Sequence, residues 1–188
     1  RAAGKGGSKN GGGKGDANWE LHVVAHSAGS IFFAYMLRHI IELKLPLKSV
    51  QFLAPAVETS VFHAKVFQAA SQGQCPLPIL YLLSEEAELD DTVGGQLVYG
   101  KSLLHLVSNA CESQRGTPIL GMQAFVKRDA ALATAYKKDA PDGLPTLIIA
   151  GDRREPEGQE KASSQSSSHG GFDNDMATMN SVLRRILG

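Results

Sequence analysis

Apolar positions along this chain switch between two spacings. Leu21-His22-Val23-Val24-Ala25 is a short β-prone run. From Ala28 to Leu45 the apolar residues Ile31, Ala34, Tyr35, Leu37, Ile41 and Leu45 recur at helical spacing, and Pro46 stops that helix. The run from 49 to 54 (SVQFLA) predicts a second strand, closed by Pro55, and residues 59 to 71 a helix. The run from 78 to 84 (PILYLLS) predicts a third strand, followed by an acidic loop from Glu85 to Asp91. Residues 97 to 112 form an amphipathic pattern, with Leu103, Leu104, Leu106 and Val107 on or near one face. Residues 119 to 126 are expected as a strand, 130 to 138 as a helix and 144 to 150 (LPTLIIA) as a strand. A Ser- and Gly-rich stretch from 158 to 171, expected to be mobile, leads to a closing helix over 173 to 187. This alternation predicts an α/β fold, a mostly parallel sheet with helices on both faces. The strands are continuously apolar, as strands buried on both sides must be. There is no internal repeat.

Composition sharpens this picture without redirecting it. The 188 residues suffice for one domain with a real core, and 43% hydrophobic residues exclude wholesale disorder. Lys and Arg number 19 and Asp and Glu 19, so the net charge is zero. A dedicated nucleic-acid binder would carry a basic excess. Cys75 and Cys111 lie too far apart for a zinc-type pair and are expected as free thiols. No apolar run reaches the roughly 18 residues of a membrane span; the longest candidate, residues 31 to 45, is broken by Arg38, His39, Glu42 and Lys44. No secretory signal is visible, which leaves a cytoplasmic location as the default expectation. Residues 1–18 hold seven of the 20 glycines, with Lys5, Lys9 and Lys14 among them, and are expected as a flexible linker or loop ahead of a domain over 19–188. Their Gly-Lys pairs do not make a phosphate loop: Gly13-Lys14 is followed by Gly15, and no strand precedes them.

The candidate chemistry centres on Val23-Val24-Ala25-His26-Ser27-Ala28-Gly29-Ser30. A strand, a Ser with small residues two places to either side, and a helix follow one another. A Ser on such a turn takes a strained backbone conformation that pushes its Oγ out at the carboxyl end of the sheet, and bulky neighbours would collide across it. The N–H of Ala28, opening the helix, can help bind an oxyanion. The five-residue pattern alone would favour the bland alternative, Ser27 as a plain helix N-cap; the strand before it and the apolar helix after it favour the turn. A second signal is His169, in Ser168-His169-Gly170-Gly171, between the last strand and the last helix. Of the other histidines, His26 falls beside Ser27, His22 and His39 are expected as structural or partly exposed, and His63 and His105 fall on helices without an evident partner.

The segment around Ser27 resembles the Gly-x-Ser-x-Gly nucleophile elbow of the α/β-hydrolase superfamily, with Ala25 in place of the first Gly. The resemblance extends over residues 19 to 187 and matches the second half of such a domain. It implies a serine hydrolase, esterase- or lipase-like, with the order nucleophile, acid, His. Ser27 would be the nucleophile, His169 the base and Ala28 one oxyanion donor. The acid is expected in the loop after the strand that precedes the His strand. That favours Asp91, with Asp90 second. Asp152, in strand-Gly-Asp, is the rival, but 17 positions without a strand separate it from His169. The resemblance implies a small-molecule acyl substrate and neither metal nor organic cofactor. It also implies that an upstream half-domain, or a partner chain, completes the sheet and supplies the second oxyanion donor. The alternative reading is a hydrolase-like module that binds without catalysis.

Overall fold

A computed structural model describes residues 19–91, 102–141, 143–151 and 162–188 of the chain. The Gly/Lys-rich start, the rival acid Asp152 and part of the helix expected from 97 to 112 lie outside these residues. Four strands, β1 (Leu21–His26), β2 (Leu47–Leu53), β3 (Ile79–Leu82) and β4 (Leu147–Ile149), form one sheet in the order of the chain. Every pairing is parallel. The α/β class read from the alternation therefore holds.

Helix α1 (Gly29–Glu42) crosses from β1 to β2. Helix α2 runs from Thr59–Phe62 through a π-helical turn at His63–Phe67 to Gln68–Ser71 and crosses to β3. After β3 come α3 (Glu85–Asp90), α4 (Leu103–Leu106, continued by a π-helical turn at Val107–Cys111), α5 (Gln123–Arg128) and α6 (Ala130–Ala135). A 3-10 turn at His169–Gly171 follows β4, and α7 (Met176–Leu187) closes the chain.

Successive side chains of a strand point to opposite faces, and each face has its own core. Val50, Phe52, Leu80 and Leu82 pack with Phe33 and Leu37 of α1 and Phe62 and Val66 of α2. Leu53, Ile79, Tyr81 and Ile148 pack with Phe172 and with Val182 of α7. Burying one such Leu or Phe side chain contributes about 2 kcal/mol, so strands apolar on both faces hold two helical layers. Polar groups within the second layer are paired: Tyr81 Oη donates to Gln51 Oε1 and lies 2.8 Å from Ser181 Oγ, and Gln51 Nε2 donates to the Val182 carbonyl.

Three expectations change. The acidic segment after β3 is helix α3. Ser84 caps it by accepting from the Ala87 N–H, and Glu85, Glu86 and Glu88 lie in its first turn, where the helix dipole favours negative charge. Residues 119–122 are a buried connection rather than a strand, bridged to the sheet side only at single residues, and α5 begins at Gln123. The apolar run there has neither the length nor the turn signals that separate a strand from a buried connection. Gly121 is required in it, because a Cβ would stand 2.4 Å from the Pro55 carbonyl oxygen and 2.6 Å from Leu104 Cδ1. The Ser-rich stretch from 162 to 171 is seated rather than mobile, with Ser164, Ser166 and His169 buried. Its backbone is tied to the start of α7, where Asp175 Oδ2 accepts from the Gln165 N–H, and to the end of β4, where Gly151 N–H donates to the Ser164 carbonyl.

Among the described residues β1 is an edge strand of the sheet. Val24, in its middle, is 42% exposed. Among the described residues no helix is long and apolar enough to cross a membrane.

Candidate active site

The turn from β1 into α1 puts Ser27 at φ 52°, a left-handed conformation that costs a non-glycine residue about 1 kcal/mol or more. Surrounding bonds hold it there. Ser27 N–H donates to the Leu53 carbonyl, and the Ser27 carbonyl accepts from Ala56 N–H, Ser30 N–H and Ser30 Oγ. Ser30 Oγ in turn accepts from Val57 N–H. A Cβ on Gly29 would lie 3.5 Å from Ala25 Cβ, so the residues two before and two after Ser27 meet across the turn. The small residues that the sequence places there thus face each other at ordinary contact distance.

Three strand ends converge on this turn. Ser27 follows β1, Asp91 follows α3 after β3, and His169 follows β4. His169 Nε2 lies 2.8 Å from Ser27 Oγ, across 142 positions of sequence. The imidazole is 4% exposed. Burial lowers its pKa from 6.5 to about 4; the neighbouring His26 pushes in the same direction and Asp91 opposes. The ring is therefore neutral at pH 7 and can accept the Ser27 proton. A hydroxyl hydrogen-bonded to an unprotonated imidazole is the arrangement that general-base activation of a nucleophile needs.

Asp91 reaches the same loop. Its Oδ2 accepts from the backbone N–H of His169 at 2.7 Å, while His169 Nδ1 is buried without a hydrogen-bond partner. The carboxylate thus anchors the peptide that carries the ring, and it does not bond the nitrogen that a triad acid would engage. Asp90, on the last residue of α3, is exposed and makes no contact with His169. No backbone carbonyl among the described residues accepts the Ala28 N–H at the start of α1. Two cavities lie elsewhere. One of about 850 Å³ opens at the amino ends of β2 and β3, against Lys48, Leu77 and Ile79, and another lies between α1 and α2.

Two further groups join this site, of which only His26 was placed beside Ser27 by the sequence. His26 Nε2 lies 2.9 Å from the His169 carbonyl oxygen, and its ring packs against that of His169 at 5.4 Å between centroids. Glu88, on α3 one turn before Asp91, is 2% exposed; its Oε2 accepts from Ser102 Oγ, its Oε1 has no partner, and burial raises its pKa to about 7. The position of His26 next to Ser27 was a usable signal. Nothing in the acidic run singles out Glu88. The other expected histidines are structural: His22 bonds Ser49, His63 bonds Asp129 at 2.7 Å, and His105 bonds Ser102. Cys75 and Cys111 are free thiols. No group of metal-ligating side chains occurs among the described residues. No protein-family model matches the chain, and neither a curated protein nor a solved structure does.

Proposed function

We propose that the chain is the back half of an α/β-hydrolase-like serine hydrolase that cleaves ester-like acyl substrates through Ser27, His169 and Asp91. The observation that carries this reading is the 2.8 Å contact between Ser27 Oγ, on a left-handed strand-to-helix turn, and the neutral, buried imidazole of His169. His169 Nε2 takes the Ser27 proton as Oγ attacks the acyl carbon. The Ala28 N–H at the start of α1 faces the developing oxyanion. His169 then protonates the leaving oxygen, and a water deprotonated by the same nitrogen releases the acid from the acyl-enzyme. Asp91 fixes the His169 loop through the backbone and stabilises the imidazolium that forms at each proton transfer. No step calls on a metal or an organic cofactor.

The test is covalent labelling with a fluorophosphonate probe followed by peptide mass analysis. Modification confined to Ser27 is the expected result, because only an activated Ser reacts with such probes. Intact protein that stays unlabelled would instead favour the non-catalytic binding module.

The reading also carries an expectation about β1. Its outer edge has no strand partner among the described residues, and Val24, Phe32 and Tyr35 leave apolar surface open beside it. An upstream half-domain, or a partner chain, pairs with this edge. Unpaired edges of this kind associate with one another. The 188-residue chain alone is therefore expected to self-associate in sedimentation velocity, and Val24→Lys to shift it towards monomer. A wild-type chain that sediments as a monomer at all concentrations would contradict this.

A further inference from the structure

We propose that His26 is a positioning residue for the base: the strand that carries the nucleophile also holds the His169 loop, through the hydrogen bond from His26 Nε2 to the His169 carbonyl. The inference rests on the hydrolase reading and adds a residue to it.

His169 sits in a loop with every reason to move. Three serines precede it, and Gly170 and Gly171 follow. The 3-10 turn at His169–Gly171 is too short to hold a ring in place by itself. Two long-range contacts locate its peptide groups. On the amino side, the His169 N–H donates to Asp91 Oδ2 at 2.7 Å. On the carboxyl side, the His169 carbonyl accepts from His26 Nε2 at 2.9 Å. The two anchors come from different parts of the sheet, Asp91 from beyond β3 and His26 from β1 itself. Since His26 and Ser27 are adjacent in the chain, the distance from Ser27 Oγ to the base is set by one short rigid unit.

The bond to the His169 carbonyl requires a proton on His26 Nε2. The two rings lie 5.4 Å apart and tilted by 30°. A charge on His26 would oppose the imidazolium that His169 forms in each proton transfer, whereas Asp91 favours it. Packing alone would be met by any aromatic ring; the hydrogen bond requires a donor at the place of Nε2.

The experiment compares His26→Phe with His26→Gln by p-nitrophenyl acetate kinetics and by fluorophosphonate labelling rate. Phe keeps the ring against His169 and removes the donor. Gln places an amide N–H at similar reach. Expected for Phe is a fall of about 100-fold in kcat with little change in KM, the cost of a base displaced by about 1 Å. Its acid limb is expected to move to higher pH, since a neighbour that lowers the His169 pKa is gone while Asp91 stays. Gln is expected to stay within about threefold of wild type. Phe as active as Gln would overturn the positioning role and leave the hydrolase reading intact. Equal losses in both variants with unchanged melting temperatures would also overturn it, since the donor would then not be what matters. Wild-type protein that does not label overturns both readings together.

Discussion

Ser27→Ala and His169→Gln are each expected to lower turnover of a p-nitrophenyl ester by about 10⁴-fold or more, and the double variant to lose no more than either single one. The two groups act as one unit. Without the imidazole the Ser27 hydroxyl keeps its proton, and without the hydroxyl the imidazole has nothing to deprotonate. Additive losses would mean that they work independently, contrary to the 2.8 Å contact between them. Asp91→Asn should cost less than either, because its contact with His169 runs through the backbone N–H, which an amide oxygen still accepts. The pH profile offers a sharper check. Burial holds His169 neutral down to about pH 4. The acid limb of kcat/KM is therefore expected near pH 4, well below the 6.5 of an exposed imidazole. A limb at 6.5 would mean that the base is solvated or strongly paired to Asp91 through Nδ1 during turnover.

Much of this arrangement was legible in the residues, and the gaps have physical causes. Strands β1 to β3 are short, predominantly apolar runs, so their type and order could be read directly; β4 proved shorter than its apolar run. Ser27 was legible because a strained turn leaves a local mark, small residues at 25 and 29. His169 was legible from its place after the last strand. What joins it to the rest was not. The bonds from His169 to Asp91, His26 and Ser27 span 78, 143 and 142 positions. They depend on how loops settle at the ends of strands, and no local pattern encodes that. The acidic run after β3 misleads for a related reason. Apart from the candidate acids Asp90 and Asp91 its carboxylates look solvated, although Ser84 and three early glutamates also spell a helix start. That helix then turns Glu88 inward.

The pH dependence of stability should expose that buried carboxyl. His169 and Glu88 pull in opposite directions. His169 has a lowered pKa, about 4 against 6.5, so its contribution is fully present above pH 6.5 and is lost as pH falls through 4. Glu88 has a raised pKa, about 7 against 4.5, so its contribution is fully present below pH 4.5 and is lost as pH rises through 7. Each gap corresponds to roughly 3 kcal/mol across its window. Between pH 4.5 and 6.5 the two slopes offset, and wild-type stability should be nearly flat there. The lowered carboxylates of Asp129 and Asp175 add their dependence only below 3.8. Glu88→Gln keeps the side-chain volume and an oxygen to accept from Ser102, and removes the titration. Its urea unfolding free energy should therefore rise by roughly 3 kcal/mol from pH 4 to 6.5 and then hold. The variant should overtake wild type above pH 7, where the native chain must bury a charged carboxylate beside Asp91. Parallel curves for the two proteins would show that Glu88 reaches water in the folded state. The helix that carries Asp91 would then be packed more loosely against the sheet than Glu88 at 2% exposure implies.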